Sequence, residues 1–455
     1  MERQYAIFFD FLRFCIDSAK EIPDSLKEVD WKELYAIAQK QCLVGVLFDG
    51  IKKLPANHLG MKKELLLQWM AESQMLEKAN IRLNDAAIQV SEWFRKKGFR
   101  TCILKGQGNA LMYPNPYSRT PGDIDIWVEG GDKRVISFVR SISPHEKACY
   151  HHIEFPSYKG IDIEVHYRPS FLLCFWHDRK LQKYYERVEE EQFSHRVILG
   201  EQGEIVIPTV EFNLIFQLTH IYAHLMNEGI GLRQLLDYYF VVCDFYKVYQ
   251  TSTNHSASFS NHPVPLSKEG STFSPSPSSS GSGDVTALRC SEPLRYKDGG
   301  ASKPSPGCAG WDRLEMSGEM SSDCVGASSA VAHSSFAASS SSAALDRVQK
   351  ELKELGLWKF AGAIMYIMQE VFGMPASRLI VPPNEQYGKF VLNEVLEAGN
   401  FGKHDERNRF GGSKLGHNLQ RVYRDIRLVR YFPAEAMSEP FFRVWHFFWR
   451  LKHRR

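Results

Sequence analysis

The stretch that decides the fold runs from Ile103 to Val128, ILKGQGNALMYPNPYSRTPGDIDIWV. A hydrophobic strand leads into Lys105 and Gly106, where a helix of about two turns is expected to start. A second strand carries Asp123 and Asp125. Residues two apart on a strand point to one face, so the two carboxylates project together while Ile124 and Ile126 point to the opposite, buried face. Carboxylates held that close raise one another's pKa, and an oxygen-loving divalent ion such as Mg²⁺ (or Mn²⁺) removes the conflict.

Working outward, GIDIEVHYRP supplies a third acidic position. Glu164 lies between Ile163 and Val165, with Asp162 and His166 on its face. SYKG at 157–160 reads as a hairpin turn before this strand. If the strand lies beside the first, Glu164 completes a carboxylate triad, and metal ions there would clamp the attacking and leaving oxygens of a phosphoryl displacement. Lys105 and Gly106 at a strand-to-helix turn suit a polyphosphate, because helix-start N–H groups point at the anion and the lysine adds charge. Arg119 is a second candidate for the phosphate oxygens, against the plainer reading of an exposed loop cation. A lone DxD is a common surface pattern, so the turn and the third carboxylate carry the weight.

These features together resemble the uncharacterised bacterial nucleotidyltransferase family of the DNA-polymerase-β-like superfamily: LKG at 104–106, Tyr113 and Pro114, Arg119, DIDIWV, then Glu164 and His166. His220, His224 and the RQLLD run from Arg233 to Asp237 resemble that family's helical segment after the catalytic core. The resemblance implies that Asp123, Asp125 and Glu164 hold Mg²⁺, that Glu164 activates an acceptor hydroxyl, and that Gly106 lets the backbone approach an NTP. Lys105-Gly106 stands where that superfamily usually has Gly-Ser, and the interval from Gly106 to Asp123 is longer than usual.

The rest of the chain places this block. With 455 residues, 44% apolar, two or three domains are expected. The formal charge of +3 is too small for nucleic-acid binding over the whole surface. Nine cysteines without a CxxC pair argue against a zinc knuckle or a disulfide framework, and with no signal-like or membrane-spanning segment the expected location is the cytoplasm. Residues 251–344 contain 26 serines in 94 positions, too polar to repay their ordering entropy, and are expected to be a disordered insertion. Apolar spacing predicts an N-terminal helical region over 1–98, an α/β core over 99–208 and a C-terminal helical domain over 209–250 and 345–455. The expected class is α+β: a small mixed sheet with flanking helices.

Weaker signals lie towards the C-terminus. His220 and His224 have zinc-binding spacing but lack the Glu of a metalloprotease motif, so packing between helices is expected, with Arg233 and Asp237 lining the cleft. Residues 400–455 hold 13 Lys or Arg against 5 Asp or Glu, which leaves nucleic acid open as a partner. Arg421, Arg424, Arg427 and Arg430 are expected on a solvated face over an apolar stripe of Leu419, Val422, Ile426 and Val429. The last helix is expected to start at Ser438 and dock its aromatic residues. The expected function is transfer of a nucleoside monophosphate from an NTP to an acceptor hydroxyl. The alternatives are a non-catalytic binding protein that keeps the fold and uses its basic end, and a DxD glycosyltransferase.

Overall fold

The computed structural model describes residues 2–17, 20–55, 60–201, 203–256, 341–405, 407 and 414–453. Most of the serine-rich stretch lies outside the described residues; helices cover only its edges, to Ser256 and from Ser341.

Alternation in the sequence builds a two-faced sheet. Strands β1 (Thr101–Ile103), β2 (Ile124–Val128), β3 (His152–Tyr158) and β4 (Ile161–His166) lie in the order β1-β2-β4-β3. β1 is antiparallel to β2, β2 is parallel to β4, and β3 is antiparallel to β4. The turn between β3 and β4 falls at Lys159 and Gly160, with φ of 50° and 79°. Two successive left-handed residues are what a tight hairpin requires. Strands β5 (Arg196–Leu199) and β6 (Gly203–Val206) form a separate antiparallel ribbon.

One face of the main sheet buries Ile103, Ile124, Ile126, Val128, Ile163 and Val165. Helix α6 (Gly131–Ile142) covers it with Val135, Ile136 and Val139. So does the end of a long helix, α4 (Lys63–Lys96), with Ile88, Trp93 and Phe94. The start of α4 belongs to a second core: Trp69 and Leu76 pack there with α1 (Glu2–Ile16), α2 (Trp31–Lys40) and α3 (Val44–Lys53). Packing therefore crosses position 98 without a break.

That second core is helical. It includes α8 (Val210–Asn227), α9 (Leu232–Ser256), α10 (Ser341–Glu354), α11 (Trp358–Glu370) and α12 (Glu385–Ala398). Helices α9 and α10 share it through Phe245, Ala344, Val348 and Leu352, so the chain leaves and re-enters one packed body around the serine-rich stretch. Two shorter-range expectations change. The helix after Gly106, α5 (Gln107–Ala110), has one turn rather than two. The last helix, α14 (Pro433–Lys452), starts at Pro433, and Ser438 lies inside it. The fixed φ of proline suits the first helical position.

Helix α13 (Lys414–Val429) meets the expectation from periodicity only in part: Arg421 and Arg430 are exposed and Val429 packs on the core, but Arg424 and Arg427 turn inward. Arg424 is buried and donates to the carbonyls of Asn227 and Glu228, the last of them at 2.9 Å. Arg427 pairs with Glu394. Leu419, Val422 and Ile426 are exposed instead, as are Phe441, Val444 and Phe448 on α14. The physical reason is the end of α8: its final carbonyls have no partner within the helix, and a buried guanidinium satisfies them.

The connection from β1 to β2 is tied down at several points. Asn80, buried in the middle of α4, donates to the carbonyls of Tyr117 at 2.9 Å and Arg119 at 2.8 Å. Thr120 Oγ1 donates to the Cys42 carbonyl at 2.7 Å. A Cβ added at Gly45 would stand 2.3 Å from the Ser118 carbonyl oxygen, so α3 packs directly on this connection. Gly45→Ala should therefore lower stability by about 1–3 kcal/mol through overpacking, which exceeds the roughly 1 kcal/mol that alanine gains in helix propensity. Urea unfolding of the two proteins checks this.

Candidate active site

The open face of the sheet collects the polar side chains. In the parallel register Asp125 is the partner of Glu164, and Trp127 that of His166. Asp123 sits just before β2. The ligand-capable oxygens of Asp123, Asp125 and Glu164 all lie within 4.8 Å of one another. Asp162 lies outside this group, on an exposed position of β4.

Cations balance the carboxylates unevenly. Leu104 N donates to the Asp125 carbonyl at 3.0 Å, which brings the next residue over the site. Lys105 Nζ lies 2.9 Å from Asp125 Oδ1 and 3.1 Å from His220 Nε2. His166 Nε2 lies 3.0 Å from the same Asp125 oxygen and 3.4 Å from Glu164 Oε2. Burial alone would raise the Asp125 pKa, but Lys105 and the His166 hydrogen bond outweigh it and hold the carboxyl well below the usual range. Burial also opposes the charge on Glu164, and His152 and His166 hold its pKa down.

Asp123 has no ion-paired cation of this kind among the described residues. Its side chain reaches solvent, yet it is crowded by protein atoms, and this crowding with the charges of Asp125 and Glu164 pushes its pKa up to about 7. The donors of these three groups are all hard oxygens, which fits an ion such as Mg²⁺.

The other sequence candidates have separate positions. Gly106 turns the chain at φ +56°. A Cβ there would meet only the Asp123 carbonyl oxygen, at 3.8 Å. The demand for glycine is thus conformational rather than spatial. Arg119 does not face the carboxylates. It is 5% exposed and makes a two-pronged pair with Asp237, Nε to Oδ1 and NH2 to Oδ2, both at 2.8 Å. Tyr113 Oη donates to Asp237 Oδ1 at 2.7 Å. A buried acid 118 positions away explains why a phosphate-binding role does not hold for Arg119.

Arg233 lies near the residue that precedes the first aspartate. A Cβ on Gly122 would stand 3.9 Å from its NH1, while its buried Nε has no hydrogen-bond partner among the described residues. His220 and His224 stack edge-to-face with centroids 4.3 Å apart, and His220 touches Lys105. Burial, and then the charge of Lys105, drives the His220 pKa well below its usual value. Sequence reasoning missed His151 and His152, just before and at the start of β3: the hairpin turn at 157–160 implies that β3 pairs with β4, but not the register that sets His152 opposite His166.

A small sheet with three carboxylates converging from two parallel strands, beside a lysine-bearing turn, can hold a divalent ion next to a cationic group. The family described as uncharacterised nucleotidyltransferase matches residues 27–248, and over that region the chain is similar to this family. The match spans every residue of the site named above. The chain also resembles the crystal structure of an antigenic nucleotidyltransferase-like protein from Paracoccidioides brasiliensis, at 11% identity over 38% of this chain and 90% of that one, with a TM-score of 0.24. No curated protein matches. Among the described residues no helix is long and apolar enough to cross a membrane.

Two outcomes follow from the electrostatics. Removing one partner of a buried ion pair leaves the other uncompensated, so Arg119→Ala should cost about 3–5 kcal/mol in chemical denaturation. The raised Asp123 pKa makes the folded, metal-free chain bind a proton that the unfolded chain releases at lower pH. That contribution is complete below the unfolded value near 3.8 and is lost as pH rises through about 7. Asp123→Asn should therefore stabilise the EDTA-treated protein relative to wild type above neutrality, with the advantage fading in acid. Thermal melts across the pH range test it.

Proposed function

We propose that the protein transfers a nucleoside monophosphate from an NTP to an acceptor hydroxyl and releases pyrophosphate. The observation that carries this reading is the pairing of Asp125 with Glu164 across parallel strands, with Asp123 beside them, inside the region matched by the family. A divalent ion held by Asp123, Asp125 and Glu164 would supply positive charge to the phosphates and make the attacking hydroxyl more acidic.

The chain's own groups do the rest. The acceptor oxygen bonds to the α-phosphorus as the bond to the pyrophosphate oxygen breaks, and Glu164, whose side chain is one-third exposed, takes the hydroxyl proton. Lys105 balances Asp125 in the free protein and is the nearest ammonium to phosphates arriving over the turn. Arg233, with an unpartnered Nε among the described residues, takes the phosphate-binding role that Arg119 does not fill. The buried Arg119–Asp237 pair holds the connection from which Asp123 projects.

The non-catalytic reading draws its support from the Lys105–Asp125 ion pair, which occupies one oxygen that a metal would use. Incubation with α-phosphate-labelled NTPs, Mg²⁺ and a panel of hydroxyl acceptors separates the two. Label should pass to an acceptor, and the double variant Asp123→Ala, Asp125→Ala should lose transfer by about a thousandfold or more. Unchanged labelling in that variant refutes the assignment.

A further inference from the structure

Beside the three carboxylates, the same sheet face carries a row of imidazoles. His152 on β3 is the antiparallel partner of His166 on β4, and Glu164 is two residues back on β4. Glu164 Oε2 lies 3.2 Å from His152 Nδ1 and 3.4 Å from His166 Nε2, and the ligand-capable atoms of all three fall within 4.8 Å of one another. His151 Nε2 adds a further nitrogen, 3.1 Å from His152 Nδ1.

His152 Nδ1 and His166 Nε2 each face two partners. An imidazole nitrogen carries either one proton or one lone pair. His166 Nε2 faces oxygens of both Asp125 and Glu164. His152 Nδ1 faces the Glu164 oxygen and the His151 nitrogen. If His152 Nδ1 donates to Glu164, the His151 lone pair is left against the same proton; if it accepts from His151, it meets the carboxylate with a lone pair. A cation at the centre would take lone pairs from His152 Nδ1, His166 Nε2 and Glu164 Oε2 together. The spacing agrees, because ligands about 2.0–2.1 Å from a tetrahedral ion stand roughly 3.3–3.4 Å apart.

The cluster of Cys174, His177 and Glu435 shows the contrasting case. There Glu435 Oε2 already accepts the backbone N–H groups of Leu173 at 2.6 Å and Cys174 at 3.0 Å, so its lone pairs are engaged by protons. Glu164 has no backbone donor of that kind among its described hydrogen bonds.

We propose that His152, His166 and Glu164 form a site for a divalent transition ion of the zinc class, adjacent to the all-oxygen site and sharing Glu164 with it. Two imidazoles and one carboxylate leave a fourth position for water or a ligand oxygen. Imidazole nitrogen selects such an ion over Mg²⁺, which prefers oxygen. The part-exposed Glu164 gives it a path from solvent. The ion needs no nucleotide, so the proposal does not depend on NMP transfer.

The test uses the full chain, stripped with EDTA, dialysed and titrated with Zn²⁺ alone against a chromophoric chelator in excess Mg²⁺. One equivalent should bind. His152→Ala and His166→Ala should each weaken binding by about 100-fold or more, while Asp123→Ala, which removes a nearby charge but no ligand of this ion, should weaken it by far less. Co²⁺ in place of Zn²⁺ should give the visible absorption of a tetrahedral centre in the unaltered protein, a readout independent of how the variants fold. Absence of Zn²⁺ binding by the unaltered chain, or loss of binding in Asp123→Ala with retention in the histidine variants, overturns the proposal. Zn²⁺ binding without NMP transfer supports this site and counts against the transferase reading; transfer without Zn²⁺ binding does the opposite.

Discussion

The parallel pairing of β2 with β4 is the constraint on which the rest depends. It sets Asp125 beside Glu164 on one face and Ile124 and Ile126 beside Ile163 and Val165 on the other. A slip of one residue would exchange the faces, exposing the aliphatic row and driving the carboxylates into the core. Each fully buried aliphatic side chain contributes about 1.5–3 kcal/mol. That apolar row holds the register against the repulsion between the acids. The site is thus a cost carried by the packing behind it.

Charge on the open face is settled locally and incompletely. Asp125 has Lys105 and His166, and Glu164 has His152 and His166. Asp123, the most exposed of the three, has no paired cation among the described residues. By contrast, Arg119 and Asp237 settle their charges with each other, deep in the protein, and serve to fix the chain between the two strands. Cationic residues of the same type thus do different work according to whether a fixed acid is already waiting for them.

How much the sequence reveals follows from the range of the forces involved. The alternation of Asp and Ile in DIDIWV, the turn at Lys159-Gly160 and the helix at 131–142 are local patterns, readable from the residues themselves. The partner of Arg119 is not, because Asp237 is brought to it by the packing of α9. The burial of Arg424 is not either: hydrophobic periodicity places it on a solvated face, and only the uncapped end of α8, some two hundred positions earlier, explains why it is buried. His152 joins the site solely because a hairpin folds β3 back along β4, with a register that no spacing in the chain encodes.

Helix α4 has a mechanical consequence. It runs for 34 residues, and its two ends are embedded in different cores. A helix of that size is about 50 Å long, at a rise of about 1.5 Å for each residue. Between its ends Asn80 grips the chain that leads to Asp123. The amino-terminal helices and the sheet therefore share a single strut, with no joint between them at which to swing apart. Access for a bulky substrate has to come from side chains and short connections around the carboxylates, and a force applied to the helical body is delivered to the sheet undiminished.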